Sequence, residues 1–312
     1  MTVLIIGGHG FIGSRLRNFL SLHNQPFKFT SSKRKDSRLN NFFQLDLANL
    51  EGLDKNSLKN IFCGVDTTVF LPSLNAKESS NKKHLAKTIK VQGAKFCLEK
   101  SIYFGVKRFI NISSCHVYGA NLAGEYDEYS DTNPSSNYAE NHAVAENELI
   151  ELSKGESIKC NSLRLSNGVG CPIDSNTDCW MLLINDLCKQ LVTTGKMELY
   201  SPPNIARDFI PISLIESIIF SLACGKVNLE EKVLNLTSAN AIEIHRIASM
   251  IKINSKKILG KHAKVYFRSA PDASPRRFKL SNNLLNKNFE NLDFSLENEV
   301  NLLLKKSNAW FS

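Results

Sequence analysis

Val3-Leu4-Ile5-Ile6-Gly7-Gly8-His9-Gly10-Phe11-Ile12-Gly13 decides how the rest of the chain is read. Four apolar residues in a row, three of them β-branched, suit a strand buried on both faces, and glycines follow at once. Beyond them Ile12, Leu16, Phe19 and Leu20 recur at helical spacing. Residues 3–6 are therefore expected to form a strand, 7–10 a tight turn and 11–22 a helix. Glycines spaced G-x-x-G-x-x-G allow the turn to be tight, backbone N–H groups to approach a pyrophosphate, and the helix to pack closely on the strand. The helix N-terminus adds a field that favours an anion. Gly7, Gly10, Phe11, Ile12 and Gly13 are candidate dinucleotide-binding residues.

Outward from this turn, strands are expected at residues 27–30, 42–45, 68–71, 108–112 and 160–165. Helices are expected at about 53–62, 82–104, 138–152 and 178–192. Such alternation predicts an α/β fold, a Rossmann-type doubly wound parallel sheet covered on both faces. The expected division is residues 1–165 as the NAD(P)-binding domain and 166–312 as a smaller substrate-binding lobe, with some elements returning to the sheet. Loops carrying Cys171-Pro172, Ser201-Pro202-Pro203 and Ala270-Pro271 suit that lobe.

The adenosine end of the cofactor is read from the second strand, which runs into Thr30-Ser31-Ser32-Lys33-Arg34. No carboxylate stands there to hold a ribose 2′-hydroxyl, and cations are near, so the cofactor is NADP or NAD with NADP favoured. Ser32 and Arg34 are candidate contacts to a 2′-phosphate. Asp46 and Leu47, after the third strand, and Leu71, after the fourth, complete the candidate cofactor set.

Composition sets outer bounds. The 312 residues are 42% hydrophobic and 22% charged, enough for a full core, and no stretch approaches the roughly 20 apolar residues of a membrane span. The first residues pass straight into a strand, so a cytoplasmic protein without membrane attachment is expected. The net charge of +9 comes from dispersed lysines, which suits a phosphate-bearing ligand better than nucleic acid. Eight cysteines without a C-x-x-C pair point to buried thiols, with no metal site and no disulfide framework.

Further motifs follow in order: Asp66-Thr67-Thr68-Val69-Phe70-Leu71-Pro72-Ser73, then Ser113-Ser114-Cys115-His116-Val117-Tyr118-Gly119, then Tyr138-Ala139-Glu140-Asn141-His142. With the glycine turn, they resemble the extended short-chain dehydrogenase/reductase superfamily, in particular the NAD-dependent epimerase/dehydratase branch that acts on nucleotide sugars. Arg164-Leu165-Ser166-Asn167-Gly168-Val169-Gly170 and Arg207-Asp208-Phe209-Ile210 are weaker echoes. The resemblance implies Tyr138 as acid/base, Ser114 as its hydrogen-bonding partner, and Asn167, Arg207 and a late arginine, Arg276, as substrate contacts. It also implies a homodimer built on the helices near 82–104 and 138–152.

Two positions depart from the family pattern. Where the family's Y-x-x-x-K has a lysine that holds the ribose and lowers the tyrosine pKa, this chain has His142, which is only partly cationic at neutral pH. Lys90-Val91-Gln92-Gly93-Ala94 stands where N-V-x-G-T is usual. His116 occupies the position where the family's 4,6-dehydratases carry a glutamate, so it is a candidate second acid/base. The reading is an NAD(P)-dependent epimerase or 4-keto reductase of a nucleotide sugar, rather than a 4,6-dehydratase. The alternative is a protein of the same fold that binds cofactor without turnover.

Overall fold

The computed structural model describes all residues except 33–39, 51, 121, 291, 293 and 294. It divides into two units. One comprises Met1–Ala120, Glu128–Leu165 and Glu216–Asn235; the other comprises Asn121–Asp127, Ser166–Ile215 and Leu236–Ser312.

The first unit is built on a seven-stranded sheet. Its order is Val233–Leu236, Lys159–Leu165, Arg108–Ser114, Thr67–Phe70, Val3–Ile6, Phe27–Ser31 and Phe42–Gln44. From Lys159–Leu165 to Phe42–Gln44 every neighbouring pair is parallel. All four residues of Val3–Ile6 and of Thr67–Phe70 are buried, which is why Val3–Ile6 reads as an unbroken apolar run rather than an alternating one. Leu4, Ile6, Phe62, Phe70, Leu98 and Phe109 belong to one core cluster. Strand order reverses at Val3–Ile6, which has Phe27–Ser31 on one side and Thr67–Phe70 on the other. In open sheets of this kind the crevice beyond the carboxyl ends at that reversal is where ligands bind. Gly7 and Leu71-Pro72 lie there, directly after the two strands.

Two helices differ from expectation. The one expected over 82–104 is α-helical over Lys83–Lys87 and Gly93–Tyr103, with a π-helical turn at Thr88–Gln92 between them. The helix expected from about 178 begins at Leu183 and ends at Thr194. Apolar Trp180, Met181 and Leu182 mimic its continuation, but local bonds hold that segment in turns. Asp174 Oδ1 accepts from Asn176 N at 2.7 Å, and Trp180 Nε1 donates to Ser175 O at 2.8 Å.

The second unit holds a three-stranded sheet, Ala241–Glu243, Ala206–Pro211 and Asn167–Val169. Two parallel pairs accompany it: Lys264–Phe267 with Lys196–Leu199, and Phe278–Leu280 with Gly124–Tyr126. Its core gathers Leu187, Leu191, Met197, Ile247, Ile251 and Leu303. No helix among the described residues is long and apolar enough to cross a membrane.

Candidate active site

The glycine turn is shaped by what it excludes. Gly7 has φ +85°, in the left-handed region, and a Cβ on Gly13 would lie 2.4 Å from Gly7 O, so the helix seats directly on the turn. That helix, Phe11–Leu22, starts at Gly10 with no side-chain cap, so no side chain takes up its first N–H groups. The Cβ of Gly10 would meet nothing nearer than Gly7 O at 3.5 Å, which leaves that face of the turn open. A diphosphate fits this cradle: it has room, backbone donors and a favourable field.

Of the other cofactor candidates, Asp46 uses Oδ1 to accept from Ala48 N at 3.0 Å. The Leu47 side chain is spent in the core, against Gly93, so what Leu47 can offer a ligand is backbone. Leu71 is half-buried at the end of Thr67–Phe70, and Ser32 O accepts from Gln44 Nε2 at 3.1 Å. Arg34, with Lys33 and Lys35, lies outside the described residues.

Ser114 ends the strand Arg108–Ser114, and its Oγ accepts from His116 N at 3.3 Å, starting the short 3₁₀ turn Cys115–Tyr118. Tyr138 is the second residue of the helix Asn137–Leu152, whose N-terminus is capped by Ser136 Oγ accepting from Ala139 N at 3.2 Å. That cap fixes the helix start and so the direction of Tyr138. The Tyr138 ring stands edge-on to His116, with centroids 6.1 Å apart, and 4.5 Å from the ring of His142 one turn along. Burial raises the Tyr138 phenol above its ordinary value, and a hydrogen bond with Ser114 works against that rise.

His142 is 2% exposed. Burial, then the nearby Lys90, then His116, hold it well below the ordinary histidine value, so it is neutral. Ser73 Oγ donates to Leu74 O at 3.0 Å, which leaves it to accept from His142 Nε2 at 3.2 Å. The neutral ring then keeps its lone pair at Nδ1, which is buried without a partner.

Lys90, in the π-helical turn, is fully buried. Its Nζ donates to Asn111 Oδ1 at 2.9 Å and to Ile112 O at 2.6 Å. Burial pushes the ammonium down to about 7, against the pull of Glu146. Glu146 in turn is bound by Arg164, whose Nε and Nη2 donate to it and whose Nη1 donates to Tyr118 Oη at 2.9 Å. Motif reading passed over this buried group as a site. One signal for it was the lysine that stands first in Lys90-Val91-Gln92-Gly93-Ala94, where N-V-x-G-T is usual.

Ser114, His116, Tyr138 and His142 are thus brought together within the first unit. In the second unit Asn167 and Arg207 sit on paired strands. Asn167 Nδ2 donates to Asp208 O at 2.7 Å, and Arg207 Nη2 donates to Ser201 Oγ at 3.4 Å. Arg276 is exposed on the stretch before Phe278–Leu280.

The model of the NAD dependent epimerase/dehydratase family matches residues 3–213. A curated relative, dTDP-D-glucose 4,6-dehydratase of Dictyostelium discoideum, is 30% identical over 149 residues, 43% of this chain and 34% of that protein. The match therefore spans about a third of the relative's length. UDP-glucose 4-epimerase of Thermotoga maritima, solved with UDP-glucose, is 20% identical with a TM-score of 0.81 and is covered 100% on both sides. RMD from Pseudomonas aeruginosa, solved with NADPH, is 17% identical with a TM-score of 0.79 over 99% of each chain. At these identities the two structures speak for the fold.

Proposed function

We propose, from the premise that this chain belongs to the NAD dependent epimerase/dehydratase family, that it is an NAD(P)-dependent enzyme acting on a nucleotide-activated sugar, by epimerisation or 4-keto reduction. The observation that carries this reading is the hydrogen bond between Ser114 and Tyr138, with His116 edge-on to the same ring. A phenol so placed gives or takes a proton at a sugar hydroxyl or carbonyl, and the serine shares the hydrogen bond and orients it. A bound nicotinamide dinucleotide supplies the hydride acceptor or donor. The turn Gly7 to Gly13 would hold its diphosphate, with Asp46 toward the adenine and His142 toward the ribose.

His116 argues against 4,6-dehydration, in spite of the similarity to a 4,6-dehydratase. The position where those enzymes carry a glutamate holds an imidazole here, which suits a second acid/base near neutral pH. Asn167, Arg207 and Arg276 would bind the nucleotide diphosphate of the substrate. NADP is favoured over NAD because Thr30-Ser31-Ser32 carries no carboxylate. The same reading includes a homodimer and a cytoplasmic site of action.

A second reading, cofactor binding without turnover, is favoured by the neutrality of His142, which leaves the tyrosine helix without the usual cation. Incubation with UDP-, dTDP- and GDP-sugars and either nicotinamide cofactor, read by product chromatography and nicotinamide absorbance, separates the two. Turnover that falls about 100-fold or more in Tyr138→Phe is the expected result. Full turnover in that variant would refute the mechanism, and binding of cofactor with no turnover of any sugar would favour the second reading.

A further inference from the structure

The residues of the candidate site come from two separate segments. Ser114 ends the strand Arg108–Ser114 and His116 follows it in the turn Cys115–Tyr118, whereas Tyr138 stands near the start of the helix Asn137–Leu152. The placement of turn against helix decides the hydrogen bond between Ser114 and Tyr138. A catalytic pair has to be held to within about 0.5 Å. Each segment carries a further buried residue: Tyr118 closes the turn, and Glu146 lies about two helical turns beyond Tyr138.

One side chain holds both. Arg164 lies on Lys159–Leu165, the strand beside Arg108–Ser114, in register with Ser113. Its Nε and Nη2 donate to the Glu146 carboxylate, the latter at 2.7 Å, and its Nη1 donates to Tyr118 Oη at 2.9 Å. The Tyr118 hydroxyl donates in turn to Asn235 Oδ1 at 2.8 Å. A planar guanidinium serves two partners at fixed angles, which the point charge of a lysine does not. For stability alone the arrangement gains little, because replacing a buried ion pair by apolar side chains of similar volume is often neutral or stabilising. What it supplies is register, since the turn after Ser114 and the helix of Tyr138 are tied to one rigid group. Bonds within the turn carry that restraint back to Ser114: its Oγ accepts from His116 N at 3.3 Å, and Gly119 N donates to His116 O at 3.0 Å.

We propose that Arg164 is the positioning residue of the candidate site: by holding Tyr118 and Glu146 at once, it keeps the turn of Ser114 and His116 in register with the helix of Tyr138, and so preserves the Ser114–Tyr138 hydrogen bond. The inference rests on Ser114 and Tyr138 being the acid/base pair. Arg164 spends its N–H groups on Glu146 and Tyr118 and takes no proton in the reaction. It acts on Tyr138 only through the turn and the helix.

The test is the NMR resonance of Tyr138 Cζ in protein carrying labelled tyrosine, without cofactor or substrate, assigned by its loss in Tyr138→Phe. Its frequency reports the hydrogen bond of the phenol. Ser114→Ala gives the reference for a broken bond and should shift the signal. Tyr118→Phe keeps the ring and the Arg164–Glu146 pair but removes the hydroxyl that Arg164 holds, and should shift the signal in the same direction. Arg164→Lys, which cannot serve both partners, should do likewise. In Ser114→Ala/Tyr118→Phe the signal should move no further than in Ser114→Ala, because both changes act on one bond. A folded Tyr118→Phe that is less stable but keeps the signal at its wild-type position would overturn the proposal and leave Arg164 a structural anchor. So would a double variant that shifts by the sum of the two single shifts. Should Arg164→Lys not fold, Tyr118→Phe and the double variant decide. A signal unmoved by Ser114→Ala would end the proposal together with the proposed mechanism. Because no sugar is present, a wild type that turns over no nucleotide sugar yet shows the full pattern would end the proposed activity alone.

Discussion

Arg164 holds Glu146 through its Nε and Nη2, the latter at 2.7 Å, and both side chains are buried. The pairing engages the carboxylate whose charge also favours the protonated form of Lys90. It also sets the protonation of Arg164: burial alone would lower the guanidinium, but the hydrogen bonds and charge of Glu146 hold it above its ordinary value.

Removing one partner of this pair strands a buried charge. Arg164→Met should cost about 3–5 kcal/mol in denaturant unfolding, because Glu146 is left uncompensated and the hydroxyl of Tyr118 loses a donor. Arg164→Met/Glu146→Leu should recover much of that loss. Additive costs in the double variant would show that the two side chains are not coupled.

Lys90 gives the fold a pH dependence of definite sign. Its folded value is about 7 against an ordinary 10.5, so between those values the unfolded chain binds more protons than the folded one. The contribution of Lys90 to stability is therefore least below about pH 7, rises through the window and levels off near 10.5. Relative to Lys90→Met, wild type should gain at most about 1.4 kcal/mol per pH unit across that interval. Parallel stability curves for the two proteins on the alkaline side would contradict the burial of an ionisable amine.

His142 acts on the acid side. Its folded value lies well below the ordinary 6.5, so as pH falls through 6.5 the unfolded chain takes up a proton that the folded chain resists. Stability from this residue is present above about pH 6.5 and declines below it, until the folded value is reached. His142→Gln should flatten the acid limb of the unfolding midpoint against pH. An unchanged limb would place the acid sensitivity elsewhere.

Gly13→Ala should disable the turn, since its Cβ has Gly7 O at 2.4 Å and Gly8 Cα at 2.8 Å. Overpacking of this kind costs about 1–3 kcal/mol. The sharper readout is ligand-induced stabilisation: wild type at about 100 times the dissociation constant of its cofactor should gain roughly 2.7 kcal/mol, and the variant should gain far less. Equal stabilisation would mean that the dinucleotide does not use this turn.

The parallel sheet was legible because Val3–Ile6 is apolar without interruption and strand and helix patterns alternate after it. Residues 3–6 and 11–22 have the bounds that their periodicity implied. Pattern failed where geometry departs from it: a π-turn at Thr88–Gln92 leaves no mark in residue types, and Trp180-Met181-Leu182 looks helical although it lies in turns, with Trp180 Nε1 donating to Ser175 O. In the candidate site Ser114 and Tyr138 could be read from their motifs, and His142 was recognised as a weaker cation than lysine. Lys90 was visible only as a departure from a pattern. Its meaning depends on Asn111 and Ile112, two strand residues whose proximity no local spacing encodes.

Arg15 Nε donates to Glu216 Oε1 at 2.7 Å, across 201 positions of sequence, and Thr67 Oγ1 donates to Ala223 O at 2.8 Å, across 156. The outer strand of the first unit, Val233–Leu236, comes later still. On the ribosome, then, the seven-stranded sheet waits for its last edge until Leu236 has been made. Its growing end keeps the row of donors and acceptors along Lys159–Leu165 uncovered in the meantime. Contacts so far apart in sequence close slowly and expose unpaired strand edges. Between synthesis of Leu165 and of Leu236 that edge of a nascent chain stands unpaired.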